Sequence, residues 1–304
     1  MSALTIAARI VLAWIAMLAA QIATGLVIHP KTPPNPHPLL FLTVNNALIV
    51  VAIGAAALRS DWRNWKLASA LFLVPAAVGV ANGIEGAWYL PNVGIEWRGT
   101  IIYEIVSSAV TAVLWLLIFR SAAVPESPVG STLPDRSFGG KIWRFVLCSA
   151  CYVFLYFLAG TIIFPFVRDY YATQHIPSFG QVVAMQFLVR GPVFVLVCLT
   201  LLQMFRLPRF WGAVATGLAF TFISGVAALI MPNGIFPETV RWAHFWEVSS
   251  SNFVFGFVVA WVWATRTALR TSRTPQPNAQ KSRRDVAASA GFDRCLDLQR
   301  LRGT

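Results

Sequence analysis

Acidic side chains are scarce in this sequence. Asp and Glu number 12 among 304 residues, and charged residues of both signs make up only 12%. A soluble globular domain carries about 25%, so that class is excluded. The 57% of apolar residues excludes a disordered chain. Cysteine is equally thin. Cys148, Cys151, Cys198 and Cys295 are too few for a disulfide scaffold, and none falls where an outer loop is expected. Cys148-Ser-Ala-Cys151 has CxxC spacing, but no second pair or βαβ pattern accompanies it, so it reads as small apolar residues on a helix. Catalytic signatures are missing too. There is no Gly-x-x-x-x-Gly-Lys-Ser/Thr loop, no His-Glu-x-x-His and no Gly-x-Ser-x-Gly elbow. Ser224-Gly225 invites comparison with an intramembrane serine protease, but Phe222 stands where the preceding glycine belongs. The four histidines, His29, His37, His175 and His244, avoid the middle of every apolar run, which excludes a haem-binding bundle, and no arginine ladder of a voltage sensor occurs.

What is present is long apolar runs. Mean hydropathy is +0.65, with 22 Phe and 12 Trp. A spanning helix needs about 20 apolar residues. Eight segments qualify, at 6–28, 38–58, 66–84, 100–119, 143–166, 182–205, 210–231 and 244–265. The expected fold class is an all-α integral membrane protein of about eight transmembrane helices. The first run could pass for a signal peptide, but its continuation to Ile28 and the seven spans after it favour a retained helix.

The basic excess is large: 24 Lys and Arg give a net charge of +12 and a pI near 10.3. In a soluble chain this would suggest nucleic acid. Sorted by loop, nineteen of the 24 lie on the side of the termini, including Arg59, Arg63, Arg136, Lys141 and the arginines of the tail. Lys31, Arg98, Arg168 and Arg241 lie on the other side, and Arg190 falls within a span. By the positive-inside rule both termini are expected in the cytoplasm, with the chain in the cell (inner) membrane, and no nucleic-acid partner is expected.

The two halves align at an offset of about 146 residues. Phe41-Leu42 matches Phe187-Leu188, Trp65 matches Trp211, Gly79-Val80-Ala81 matches Gly225-Val226-Ala227, and Glu104 matches Glu247 with following serines. This organisation suggests a four-span repeat in 1–120, a Pro/Gly/Ser-rich cytoplasmic linker at 121–140, a second repeat in 141–266 and a basic disordered tail at 267–304 that favours anionic lipid. Two four-span repeats would run parallel.

A charge in the bilayer core costs about 2.5–3.5 kcal/mol on insertion scales, so those that remain are candidates for function. Asn45, Asn46, Glu85, Glu104, Arg190 and Glu247 all fall in the outer half of their spans. Together they suggest a polar pocket open to the outside, with Arg190 paired to Glu104 or Glu247. The segment 231–256 is the most distinctive, since Arg241, His244 and Glu247 are spaced to be neighbours on one helix. Asn252 lies five residues further, on a different part of the surface. His244 could exchange protons with Glu247. The histidine spacing fits no metal motif, so no metal or other cofactor is expected. Trp242 and Trp246 fit an interfacial belt. This stretch, with its order Pro-Asn, Arg, His, Glu and Ser-Asn-Phe, resembles one found in bacterial polytopic membrane proteins of unassigned activity. The resemblance covers about a fifth of the chain and implies an eight-span fold without an activity.

Three functions fit these residues. One is a transporter or ligand-binding permease using the outer polar layer, with a small or amphiphilic ligand as partner besides the lipid bilayer. Another is a non-catalytic subunit, sensor or assembly factor that works with a membrane-protein partner or a second copy of itself. The third is an intramembrane enzyme on a lipid-linked substrate with Glu104, Glu247 and His244 as acid/base groups; no nucleophile or metal signature supports it.

Overall fold

The computed structural model describes residues 2–91, 93–120, 133, 137–174 and 176–264. The tail at 267–304, most of the linker at 121–140, Asn92, His175 and Cys295 lie outside the described residues. Residues Met1–Arg266 form one compact unit. Among the described residues, eight helices are long and apolar enough to cross a membrane: α1 (Ala3–Ile28), α2 (Pro38–Arg59), α3 (Asn64–Tyr89), α4 (Trp97–Phe119), α5 (Phe138–Tyr171), α6 (Phe179–Phe205), α7 (Arg209–Ile230) and α8 (Glu238–Trp263). This is a polytopic α-helical membrane protein. Only helices can satisfy every backbone group inside lipid without closing a barrel, and the apolar runs leave the chain no other solution.

Several helices outrun their apolar cores. α3 continues to Tyr89, α5 has 34 residues, and α8 begins at Glu238, six residues before the apolar run. Hydropathy registers only the stretch that lipid must contact, whereas backbone bonding carries the helix on through the polar interface. Caps mark where it stops. The Ser137 hydroxyl accepts the Gly140 amide at the start of α5, and Pro237 ends the loop ahead of α8. Exposed tryptophans stand at both ends of the bundle, with Trp65, Trp143 and Trp211 near the face of the termini and Trp242 and Trp246 near the opposite face. They fit the two aromatic belts of a membrane protein.

α1 and α3 both pack on α4, and α5 and α7 both pack on α8. The halves interlock because α2 and α3 also lie against α6, and α2 reaches α7. Small residues permit the closest crossing. A Cβ on Gly256 would sit 2.9 Å from the Cα of Gly217, so α7 and α8 touch backbone to backbone there. Large side chains fill the remaining core: Trp115, Phe194, Phe220 and Phe255 are fully buried. Buried Trp115 donates its indole N–H to the Ala13 carbonyl at 2.8 Å, tying α4 to α1.

Two spans are interrupted. α6 widens into a π-turn over Gln186–Arg190, directly before Gly191-Pro192, and α7 does so over Phe222–Val226. Pro192 has no amide to donate, which loosens the turn before it. In α7 the break falls on Gly225, whose φ of 145° is open to glycine but strained for other residues. Single π-turns inside membrane helices are frequent at functional sites.

Candidate functional site

A cavity of about 470 Å³ lies inside the bundle. All eight spans contribute to its wall, and it reaches the loops opposite the termini at Leu90, Asn233 and Phe236. On α4 the lining residues are Trp97, Thr100, Glu104, Ser107, Ser108, Thr111 and Trp115. These positions recur every three or four residues, so they form a single stripe. From Trp97 to Trp115 the stripe is about 27 Å long at 1.5 Å per residue. On α8 the stripe is His244, Glu247, Val248, Ser251 and Asn252. On α3 it carries Gly79, Asn82, Glu85, Gly86 and Tyr89. The cavity is therefore deeper than an outer-leaflet layer, because the hydroxyls of α4 extend it inward.

Arg190 is the buried cation of the wall, 7% exposed. Its partner is Glu85 at 2.5 Å; the expected pairing with Glu104 or Glu247 is not made. Glu85 lies near the end of α3, and the widened turn of α6 presents Arg190 to it. The guanidinium also donates to Asn82 Oδ1 at 2.8 Å and lies over the Phe194 ring at 4.9 Å. Gln186, from the same π-turn, donates to Glu85 Oε1 at 2.8 Å and to the Tyr89 hydroxyl at 3.3 Å. The chain of contacts continues into the second interruption. Asn82 donates to the carbonyl of Ser224 at 3.2 Å, and Asn252 donates to the Ser224 hydroxyl at 2.7 Å. One polar network thus links α3, α6, α7 and α8 and holds both π-turns. Ser224 is a turn residue bound on two sides, at its carbonyl by Asn82 and at its hydroxyl by Asn252.

A second cluster joins α5 and α8. His244 Nδ1 lies 2.6 Å from Glu247 Oε2, and Nε2 lies 2.9 Å from the Tyr171 hydroxyl. If Nδ1–H donates to the carboxylate, neutral His244 accepts the tyrosine proton at Nε2, and the three groups form a directed chain. Spacing of three residues on α8 predicts the His244–Glu247 contact; Tyr171 comes from 73 residues away and has no local signal.

Glu104 is different. It sits about 10 Å along α4 from Trp97, two turns in rather than one. Its backbone carbonyl accepts a long bond from Ser107 at 3.4 Å. Its carboxylate has no hydrogen-bond or ion-pair partner among the described residues. A Cβ on Gly79 would lie 2.8 Å from its Oε2, so the carboxylate occupies space that only glycine leaves free.

Two of the expected residues stand apart from the cavity. Arg241 is 4% exposed and donates to the carbonyls of Leu229 and Ile230 at 2.8 and 3.0 Å. It closes the end of α7, where the last carbonyls of a helix lack partners. Asn46 is fully buried and donates to Gln21 Oε1 at 2.7 Å, holding α2 to α1. Asn45 lines the wall and donates to Asn46 at 3.3 Å. Asn252, expected on a different surface, joins the same wall as Glu247, because a step of five is only 140° on a helix and the cavity wraps that far. Asn82, Gln186 and Tyr171 are additions that the sequence does not single out, and Ser224, compared there with a protease nucleophile, is instead a member of the network. Asn82 had a signal, since it falls three residues before Glu85 and three after Gly79. Among the described residues no group of three or more His, Cys, Asp or Glu is placed to hold a metal ion.

No family model, curated protein or solved structure matches the chain. Its functional assignment therefore rests on the fold and on the cavity.

Proposed function

We propose that this protein is a permease or ligand-binding protein of the inner membrane, with both termini cytoplasmic and the cavity receiving a small or amphiphilic ligand from the outer side. The observation that carries the reading is the meeting of two interrupted spans at one polar cavity, joined through Arg190, Asn82 and Ser224. Discontinuous helices at mid-membrane sites are the recurrent device of secondary transporters, since they place polar backbone and side chains where a ligand binds and supply a hinge. A volume of about 470 Å³ lies in the range of small-molecule sites. The side-by-side order, with α1 and α3 on α4 and α5 and α7 on α8, supports a four-span duplication. So does the placement of Glu104 and Glu247, the matched glutamates of the two halves, on one wall. Nineteen basic residues on the side of the termini support the orientation.

Labelling tests this reading. Ser108→Cys, placed in a background whose four cysteines are serine, should react with a membrane-impermeant maleimide added from the outer side of intact cells. A permease gives reaction from the inner side as well, in inverted vesicles, because the cavity alternates; a one-sided receptor gives the outer reaction alone. Absence of any outer-side reaction, with Trp65→Cys and Trp246→Cys controls labelling on their own sides, would remove the outward-facing cavity.

A further inference from the structure

The wall of the cavity carries four fully or partly buried charged side chains whose matching is unequal. Glu85 is neutralised by Arg190 at 2.5 Å, and Glu247 is bonded by His244 at 2.6 Å. Glu104 alone faces the cavity with no partner among the described residues, held there by the missing side chain of Gly79. With Arg190 engaged by Glu85 and His244 by Glu247, no other basic side chain remains for it among the described residues of the wall. An ionised carboxylate left alone in a low-dielectric interior is expensive; either a proton or a bound positive charge removes that cost, and a cation that enters the cavity competes with the proton for the carboxylate.

The surroundings of Glu104 fit one kind of cation. Aromatic residues line the same space, among them Phe41, Trp97, Phe222 and Phe236. Ring faces attract an ammonium group and also shed water from an apolar body. A calcium ion takes six to eight oxygen ligands and a magnesium ion six in a strict octahedron, usually completed by waters and substrate phosphates, and the described residues of the wall offer a single unengaged carboxylate. Thr100, Ser107 and Ser108, neighbours on the α4 stripe, supply hydroxyl oxygens whose partial negative charge favours an ammonium group, with or without an N–H.

We infer that the ligand of this cavity is a monovalent organic cation, an ammonium group on an apolar body, with Glu104 as its counter-ion and the aromatic wall as its enclosure. The inference rests on the reading of the cavity as a ligand site and adds the chemical class of the ligand.

The test uses the full chain in lipid nanodiscs and a charge series of one shape: benzyltrimethylammonium, its neutral carbon isostere neopentylbenzene, and the anion benzylphosphonate. Binding is read as a concentration-dependent rise in the unfolding midpoint, with free-energy gain RT ln(1 + [L]/Kd), and by calorimetry. Benzyltrimethylammonium should bind and the other two should not. Glu104→Gln should weaken its binding at least tenfold, while Glu104→Asp, which retains the charge, should keep most of it; both should elute as the wild type does on size exclusion. If the neutral or anionic probe binds in place of the cation, the cavity reading stands and the cation assignment falls. If Glu104→Gln binds the cation as the wild type does, the counter-ion role falls. If no probe of any charge binds to the wild type, both readings fall. The charge series on the wild-type protein decides the class even where a Glu104 variant fails to fold.

Discussion

At the scale of single residues, the molecule treats its buried charges in different ways. Arg190 and Glu85 neutralise each other across two helices, and each also has amide partners in Gln186 or Asn82. Removing one member of such a pair strands the other. Glu85→Ala should therefore destabilise the protein by about 3–5 kcal/mol, whereas the double variant Glu85→Gln, Arg190→Met should cost much less. Thermal unfolding in detergent, followed by size exclusion, separates the two outcomes. Arg241 spends its charge on helix carbonyls, and its own sequence neighbourhood could not reveal this: the acceptors, Leu229 and Ile230, become neighbours only through the turn at 231–237. Glu104 is the exception, since its only described bond is made by its backbone. Sequence reasoning picked it out on cost alone, because a charge inside an apolar run is anomalous wherever the helices go. It could not tell that Glu104 is unpaired and Arg190 is not, because that depends on which helices are neighbours.

Among the helices, the informative features are interruptions and close contacts. The two π-turns place Arg190 and Ser224 into one network, and Gly225 permits the second. Gly191-Pro192 announces the first in the sequence; nothing near Phe222 announces the second except Gly225 itself, one glycine among several in apolar runs. α7 and α8 touch at Gly217 and Gly256. Any side chain at Gly256 meets backbone rather than a movable side-chain end, so Gly256→Val should cost about 1–3 kcal/mol through overpacking. It should lower the unfolding midpoint while Gly139→Val, where a Cβ has nothing within 4 Å, leaves it unchanged. Helix ends were legible only to within a turn or two, as α3, α5 and α8 extend past their apolar cores into the interface.

For the molecule as a whole, charge asymmetry is the strongest statement. Nineteen basic residues on one side predict that a cytoplasm-active reporter such as a fluorescent protein, fused after residue 304, will fluoresce in cells, and that a reporter active only outside the cytoplasm will stay silent there. Fusing the two reporters after Pro91 should reverse the result. The opposite pattern would invert the orientation and place the cavity mouth on the cytoplasmic side.

The sequence by itself determined the number of spans, the all-helical class and the residues whose burial is costly, because each of these follows from local composition against the fixed thickness and low dielectric of a bilayer. It also contained the stripes on α3, α4 and α8, since residues three or four apart share a helix face whatever surrounds them. Only the tertiary structure decided that those stripes face one another around a single cavity, that Arg190 takes Glu85, that Tyr171 completes the His244–Glu247 chain and that Glu104 is left without a partner. Those outcomes depend on which of eight similarly apolar helices lie side by side, and in lipid that choice is made by shape and by a few buried hydrogen bonds between residues up to 142 positions apart.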